Sequence, residues 1–285
     1  MLKPRTPNVG LFLLLLAALV GALPLQAASS AGSRPAAPTA AAAPPAITGP
    51  DKIWQYERVD APKQFRHMAQ DSPALDDAGH PHIAYGEDFL YYAWHDGAAW
   101  HPETVDDAGR VGRSASLALD SVGRPHILYC QVDPSRYDCD VLRYAYFDGP
   151  RWQIEVVDVN LGAWFGNHSS LALDTNDRPH ASYYQNMGFL LKYAHRDGAG
   201  WHIEVVDDNP GYGSSLALDS QGYPHIAYYT LHLKYAYYDG TTWHVARIAE
   251  YTGTNPSLAL DALDHRHISY YMELIHYTHC TRWSR

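Results

Sequence analysis

One short pattern occurs five times after residue 70, and it constrains the fold more than any other feature of the chain. Each copy consists of small and apolar residues followed by an aspartate, and the copies end at Asp76, Asp120, Asp174, Asp219 and Asp261. These aspartates lie 44, 54, 45 and 42 positions apart, a spacing typical of repeats that each form one supersecondary unit. The pattern therefore predicts a chain built from five similar units.

Two further residues recur at a fixed distance from each aspartate. A histidine follows six positions later, at His82, His126, His180, His225 and His267. A tyrosine follows three positions after each histidine, at Tyr85, Tyr129, Tyr183, Tyr228 and Tyr270. Each histidine follows a turn, so we expect it to bond the turn of its own unit rather than to join a metal ring. We expect the tyrosines to pack between units, and the sequence predicts neither a metal site nor a cofactor.

Each unit divides into four short strands. In the fourth unit they are predicted at Ser215–Asp219, His225–Tyr229, Leu233–Tyr238 and Trp243–Ile248. Alternating, aromatic-rich segments separated by Gly-containing turns favour strands, and no segment has the 3.6-residue apolar period of a helix. Four antiparallel strands per repeat predict an all-β fold of β-propeller blades stacked radially. An open β-solenoid, which usually has shorter repeats, is the alternative.

The ends of the chain decide the predicted number of blades. Residues 54–60 match residues 201–207, with Trp, Glu, Val and Asp in the same register, and so resemble a fourth strand without its first three. Residues 257–279 supply three strands. We therefore expect a five-bladed propeller, closed by pairing the N-terminal strand with the C-terminal blade, which would protect the sheet edges. A truncated longer propeller is the alternative, because Trp283 stands where a native fourth strand would begin.

The N-terminal residues predict export. Lys3 and Arg5 precede an apolar run from Leu11 to Leu23, as in a signal peptide, which we assign to residues 1–28. An uncleaved membrane anchor is the alternative. Residues 29–50 are rich in Ala and Pro and are predicted to be a linker, leaving residues 51–285 for the propeller domain. The expected location is secreted, periplasmic or on the cell surface.

Charge limits the classes of partner. Three of the 21 basic residues and none of the 31 acidic ones lie in residues 1–50, so the remainder has a net charge of −13 with histidine neutral. Such a charge opposes a nucleic-acid partner and anionic lipid headgroups. A membrane partner is expected only if the signal segment stays uncleaved. Neutral or cationic ligands are easier to accommodate.

Three cysteines are too few for a disulfide scaffold. Cys130 and Cys139 flank a short polar stretch that could close on itself, so they are a candidate disulfide in an oxidising compartment. Cys280 is left over, and no Cys/His pair at zinc-ligand spacing surrounds it.

A second recurring motif lies between the predicted third and fourth strands. Asp-Gly is followed by Trp three residues after the Gly, in residues 96–100, 148–152, 197–201 and 239–243. This resembles the Asp-box (BNR-like) repeat class of the sialidase superfamily and related secreted bacterial propeller repeats. In that family the motif is Ser-x-Asp-x-Gly-x-x-Trp, whereas Asp and Gly are adjacent here. Physically, Asp can accept backbone N–H bonds, Gly supplies a positive φ and Trp is expected to pack on the next blade. The resemblance implies that these turns are peripheral and not catalytic.

Strand direction assigns the loops to two faces. The turns between strands one and two and between strands three and four share one face and are uniform in length; we call it the uniform-turn face. The other connections vary in length and form the variable-loop face, and insertions on one face are typical of a binding face. The candidate ligand-binding residues on it are Trp164, Phe165, Asn167, His168 and Tyr212.

The expected function is a secreted, non-catalytic module with lectin-like glycan binding on the variable-loop face, its partner being a glycan or cell-surface polymer. A sialidase-like or other glycoside hydrolase or lyase is one alternative, with acidic pairs such as Glu87/Asp88 and Asp106/Asp107 as possible carboxylates. A protein-interaction scaffold is the other. No complete catalytic set can be assigned, so the sequence leans against an enzyme without deciding the matter.

Overall fold

The computed structural model describes Val59 and residues 71–135, 138–163, 169–209, 212–249, 254–272 and 274–280. These residues form nineteen strands in five separate antiparallel sheets, and the described part of the chain has no helix, as its periodicity predicts. Consequently, none of the described segments is a helix long and apolar enough to span a bilayer.

The five sheets follow the five sequence repeats, and we call them blades 1 to 5. Blade 1 contains β1 (Pro73–Leu75), β2 (Pro81–Gly86), β3 (Leu90–His95) and β4 (Trp100–Asp106). Blade 2 contains β5 (Val111–Leu119), β6 (Pro125–Val132), β7 (Cys139–Phe147) and β8 (Trp152–Ala163). Blade 3 contains β9 (Ser170–Leu173), β10 (Pro179–Gln185), β11 (Leu190–Asp197) and β12 (Gly200–Asp207). Blade 4 contains β13 (Tyr212–Leu218), β14 (Pro224–Tyr229), β15 (Leu233–Tyr238) and β16 (Trp243–Arg247). Blade 5 contains β17 (Thr254–Leu260), β18 (Arg266–Met272) and β19 (Leu274–Cys280).

Strand order within each blade is sequential, so each blade is a meander of neighbouring antiparallel strands. In blade 4 the third strand has the predicted bounds, and the others differ by one to three residues at their ends. Two differences change the predicted loops. Tyr212 begins β13 instead of lying in a loop, and residues 159–163 continue β8 instead of opening the insertion. Both segments find backbone partners on the neighbouring strand, Tyr229 for Tyr212 and Cys139 for Ala163.

The first strands of successive blades lie side by side and are tied by one repeated hydrogen bond. The backbone N–H of a leucine in one blade donates to the hydroxyl of the serine that precedes the equivalent leucine in the blade before. The donor–acceptor distances are 3.0 Å for Leu171 to Ser116, 3.1 Å for Leu216 to Ser170 and 3.0 Å for Leu258 to Ser215. All three serines are buried. The bond therefore sets the position of each blade relative to the one before it.

The hydrophobic core lies between the sheets. One cluster joins Leu191 and Tyr193 of blade 3 to Ile226 and Tyr228 of blade 4, and all four side chains are almost inaccessible to solvent. Because strand residues alternate between the two faces of a sheet, a blade buries one face against each neighbour. Successive four-stranded sheets packed face to face, with their first strands adjoining, are the arrangement of propeller blades.

A disulfide closes the hairpin between β6 and β7. Cys130 of β6 and Cys139 of β7 are bonded, with their Cα atoms 5.5 Å apart. The bridge encloses the polar segment that the sequence singled out. Cys280 is the last residue of β19.

The serine links predict the stability of the inter-blade contact. Replacing Ser170 by Ala removes the acceptor of a buried N–H, which should lower the free energy of unfolding by about 1–3 kcal/mol. Chemical denaturation measures the change. Ser135→Ala is the control, because Ser135 is exposed and its hydroxyl donates to Asp133 two residues away, and the change should cost less than about 0.5 kcal/mol. Equal losses in the two variants would contradict a special role for the link.

Candidate functional site

The Asp-Gly turns of the uniform-turn face are built by their aspartates. In the first turn Asp96 Oδ1 accepts the backbone N–H groups of Ala98 and Ala99, both at 2.8 Å. Its second oxygen lies 2.7 Å from His101 Nε2, and this bond holds the pKa of the Asp96 carboxyl well below its usual range. The equivalent aspartates make the same kinds of bond. The turns are structural, as the resemblance implies.

Glycine has the predicted backbone role in most of these turns. Gly97 has a φ of +91° and Gly240 a φ of +92°, values that side chains other than glycine rarely adopt. In the third turn the positive φ belongs to Gly200, two residues after the expected position.

In blades 2 to 4 the tryptophan that ends the turn packs on the preceding blade. The sequence prediction that it packs on the next blade is therefore wrong in direction. Trp152 of blade 2 stacks edge-on against Tyr92 of blade 1, with ring centroids 5.5 Å apart, and its indole N–H donates to Glu103 at 3.1 Å. The same contacts recur with Tyr144 and Glu155 for Trp201, and with Tyr193 and Glu204 for Trp243. The direction follows from the glutamates, whose carboxylates lie on the fourth strand of the earlier blade.

The recurrent histidines bond within their own blades, as predicted. His126 Nδ1 bonds the hydroxyl of Tyr144, and His126 Nε2 lies 3.6 Å from Asp120 Oδ2 in the turn. The carboxylate can only accept, so the neutral ring carries its proton on Nε2 and accepts from the tyrosine. Burial lowers the pKa of His126 below its ordinary value and lowers that of His180 to about 4.

The recurrent tyrosines connect blades, as predicted. Tyr183 donates to Asp158 of the preceding blade at 2.8 Å, and Lys192 Nζ lies 2.8 Å from the same carboxylate oxygen. Tyr129 with Asp106, and Tyr228 with Asp207, repeat this bond. Burial raises the pKa of all three tyrosines. Asp106, one of the acidic residues considered for glycosidase chemistry, is thus buried in a structural network.

Three clefts lie on the uniform-turn face, one at each of the first three blade interfaces. Their volumes are about 310, 350 and 260 Å³, near the lower end of the range for ligand pockets. Each cleft is lined by the buried histidine of one blade and by the proline that begins the second strand of the next. We name them the first, second and third clefts in chain order.

Each cleft has an aromatic or imidazole ring at the same position of the third strand. The rings are Trp94, Tyr146 and His195. The next blade also contributes one residue of its third strand, the one that directly follows the ring position. This residue is Phe147 in the first cleft, Arg196 in the second and Tyr238 in the third. The glutamate that holds the turn tryptophan lines the first cleft as Glu103 and the third as Glu204. Ring faces beside a carboxylate form amphipathic pockets.

The second cleft differs because an arginine covers its glutamate. Arg196 makes two bonds of 2.8 Å to the two oxygens of Glu155, a bidentate pairing of the strong kind. Its guanidinium carbon also lies 5.9 Å from the centre of the Tyr146 ring. Arg196 therefore takes the place in the lining that glutamates have in the other two clefts.

Further bonds cross the same interface at the neighbouring turns. The backbone N–H and the hydroxyl of Ser121 in blade 2 donate to Asp177 in blade 3, at 2.8 and 2.6 Å. Blades 4 and 5 repeat the pair with Ser220 and Asp264, at 2.9 and 2.6 Å. Both interfaces also carry an arginine bond. Arg196 bonds Glu155 between blades 2 and 3, and Arg266 Nε donates to the Tyr235 hydroxyl at 3.0 Å between blades 4 and 5.

Among the residues proposed from sequence for the variable-loop face, Tyr212 does not line these clefts. Trp164, Phe165, Asn167 and His168 lie outside the described residues. Tyr212 is half-buried, with its ring centre 4.7 Å from that of Tyr184 and 5.8 Å from that of Tyr229. It packs between blades 3 and 4.

The clefts themselves were not anticipated from the sequence. Two signals were available: the Trp-to-Glu spacing of three residues, which recurs in blades 1 to 3, and an aromatic ring two residues after the tyrosine of each third strand. Among the described residues, no group of three or more His, Cys, Asp or Glu side chains is placed to hold a metal ion.

Comparison with known proteins gives structural similarities only. No protein-family model matches the chain, and no curated protein matches it in sequence. The structure is similar to that of a protein of unknown function from Dyadobacter fermentans, with 12% identity, a TM-score of 0.52 and coverage of 73% of this chain and 74% of the other. This similarity concerns the fold alone.

Two more distant similarities have lower TM-scores. A fucose lectin from Kordia zhangzhouensis, solved with methyl-fucoside, has 22% identity and a TM-score of 0.36, covering 48% of this chain and 99% of the lectin. The Hadza microbial sialidase Hz136 has 14% identity and a TM-score of 0.43, covering 70% of this chain and 43% of the sialidase.

The buried histidines predict sensitivity to acid. With a folded pKa of about 4 for His180 and an unfolded value near 6.5, the unfolded chain binds more protons between these pH values, so the free energy of unfolding falls as the pH falls through this range. His180→Gln, which cannot titrate, should reduce the slope of the free energy of unfolding against pH by up to the amount that one bound proton contributes. Denaturation at several pH values measures the slopes, which should coincide above pH 7. Equal slopes from pH 4 to 6.5 would contradict the assignment.

Proposed function

We propose that the protein is a non-catalytic, lectin-like module that binds glycans in the clefts between its blades. The observation that carries the proposal is the recurrence of one amphipathic cleft at three successive interfaces on a single face. An enzyme needs one assembled catalytic set, whereas several equivalent sites increase the avidity of a binding protein for a repetitive partner.

The lining of the clefts suits a sugar. Ring faces such as Trp94 and Phe147 offer flat apolar surface to the C–H groups of a pyranose. Glu103 can accept hydrogen bonds from sugar hydroxyls while it holds the indole N–H of Trp152. A few polar groups in a mainly apolar pocket are what fixes the orientation of a small ligand. The net charge of −13 outside residues 1–50 also favours neutral or cationic glycans over anionic ones.

The disulfide supports an exported protein. Such bonds persist in oxidising compartments, and the Cys130–Cys139 bridge agrees with a secreted, periplasmic or cell-surface location. We therefore retain residues 1–28 as a signal peptide, residues 29–50 as a linker and residues 51–285 as the propeller domain.

Substitutions in the clefts test the proposal. A glycan array should give hits, and Tyr146→Ala in the second cleft or Tyr238→Ala in the third should weaken binding of a hit by about tenfold at that site, as expected for losing the packing surface of one ring. Isothermal titration calorimetry measures affinity and the number of sites. Thermal melting checks that each variant is folded.

Trp164→Ala and Tyr212→Phe are the matched controls on the variable-loop face, and both should bind as the unmodified protein does. Loss of binding in the controls, with the cleft variants unaffected, would move the site to the variable-loop face. Turnover of a glycan hit would favour a hydrolase or lyase instead.

We also infer that the blades form a closed ring of five. Two observations support this. Blade 5 contains three strands among the described residues, and Val59 packs against Tyr85 and Tyr91 of blade 1. Val105, which holds the same repeat position, packs in the same way against Tyr129 of the next blade. Val59 therefore contacts blade 1 as Val105 contacts blade 2, which is what we expect if residues 54–60 are the fourth strand of a blade that precedes blade 1.

Strand register gives a direct test of closure. In blade 4, Tyr238 of the third strand pairs with Trp243 of the fourth, and the equivalent pair at the ends of the chain is Cys280 with Trp54. Trp54→Cys should therefore form a disulfide with the native Cys280 under mild oxidation, detectable by peptide mass spectrometry. Antiparallel partners of this kind are within disulfide reach. Free thiols at both positions in the folded protein would contradict the five-bladed ring.

A further inference from the structure

Two arginines of the chain show that a cation can lie over the rings at the blade interfaces. The third strands of the first four blades carry a ring at one equivalent position, at Trp94, Tyr146, His195 and Tyr237. Arg196 lies over Tyr146 and Arg266 lies over Tyr237, with each guanidinium carbon 5.9 Å from the ring centre. A cation at this distance is attracted by the negative face of the ring. Two of the four rings are therefore already paired with an internal cation.

The glutamates follow the same division. Glu155, beside Tyr146, is neutralised by Arg196 through two bonds of 2.8 Å. Beside Tyr237 the equivalent residue is Ala246, so no carboxylate is present at that position. In these two interfaces the internal arginine already serves as the cation for the ring, and neither keeps an unpaired carboxylate for a cationic ligand.

The first cleft keeps the ring and the carboxylate but lacks the arginine. Phe147 holds the position that Arg196 holds in the second cleft, so a second aromatic ring lines the pocket where the guanidinium would be. Within the described residues, Glu103 accepts a hydrogen bond through Oε1 from the indole N–H of Trp152. Its second oxygen remains available.

The other titratable groups of this cleft do not cancel the charge of Glu103. Arg124 donates through Nε to Asp120 at 2.6 Å, and the Asp120 side chain is fully buried, so this pair is neutral as a unit. Burial lowers the pKa of His82, which keeps it uncharged near neutral pH, and burial raises the pKa of Tyr92, which keeps its hydroxyl protonated. Glu103 is the unbalanced charge.

We propose that the first cleft is selective for a glycan unit bearing a protonated amine, that is, an amino sugar that is not N-acetylated. The ammonium group lies against the Trp94 and Phe147 rings and bonds the carboxylate of Glu103, replacing the arginine that the second cleft supplies from within. This inference rests on the proposed glycan-binding function and names the sugar class of one of its sites. Indole is the strongest of the aromatic platforms for a cation, and charge-assisted bonds are about twice as strong as neutral ones.

The third cleft does not meet the same conditions. Its ring is the imidazole of His195 instead of an indole, and both Arg178 and Arg196 line it beside Glu204. Arg178 and Arg196 are paired with Asp174 and Glu155, so the imidazole, which is not one of the favoured aromatic platforms for a cation, is what distinguishes this cleft from the first. We therefore expect one amine-selective site among the three described clefts.

Calorimetry with a glucosamine trisaccharide and an N-acetylglucosamine trisaccharide tests the proposal on the full chain. At a pH where the amines are protonated, the glucosamine trisaccharide should bind at one site about tenfold more tightly, and added salt should weaken it because charge is involved. Glu103→Gln, which keeps the shape of the side chain, should remove the preference. Equal affinity for the two trisaccharides, or a preference that survives Glu103→Gln, would overturn the proposal.

A reciprocal exchange between two clefts makes the test independent of any one variant. Phe147→Arg places the second cleft's arginine in the first cleft and should abolish amine-selective binding. Arg196→Phe uncovers Glu155 and Tyr146 and should add a second amine-selective site, raising the stoichiometry from one to two. An unchanged stoichiometry in a folded Arg196→Phe protein would count against the role assigned to the arginine.

Failure of this inference is distinguishable from failure of the proposed function. Binding of neutral glycans that depends on Tyr146 but shows no preference for an amine would overturn only the assignment of the first cleft. Absence of binding by any glycan, neutral or cationic, would overturn both.

Discussion

The packing of successive blades depends on one contact, in which the indole of a turn tryptophan enters the preceding blade. There its ring meets a tyrosine edge-on and its N–H is held by a glutamate, as for Trp152 with Tyr92 and Glu103. The contact joins residues about fifty positions apart, so it converts a local repeat into a tertiary structure. It also brings together an aromatic ring and a carboxylate at the edge of the interface, which is why the clefts lie where they do.

The repeat predicted most of the local structure and little of the candidate site. Strand alternation, Gly-containing turns and the recurring Asp and His were sufficient to locate the sheets, because each of these features acts within one blade. The direction in which Trp152 packs was not accessible in this way, since the same turn can face either neighbour until the sheets are placed. Nor could the alternation of residues in β8 show that residues 159–163 continue the strand, because their pairing depends on the hairpin partner around Cys139.

The clefts illustrate the same limit. Glu155, Arg196 and Trp201 come from two blades, and only the fold shows that the carboxylate accepts from both of the other side chains. Similar repeats therefore give dissimilar pockets: a single difference, Phe147 in one blade and Arg196 in the next, decides whether a glutamate is exposed to a ligand or occupied by the chain itself. Repetition constrains the scaffold more tightly than it constrains the surface.

The serine–aspartate links between turns have a mechanical consequence. They join blade 2 to blade 3 and blade 4 to blade 5, and both of these interfaces also carry an arginine bond to the preceding blade. Stiffness on the uniform-turn face is therefore uneven: among the described residues, interfaces that carry a serine–aspartate link between turns alternate with interfaces that do not. Motions that widen a cleft will concentrate at the less reinforced blade interfaces. A ligand therefore meets walls that move apart more easily at the first and third clefts than at the second.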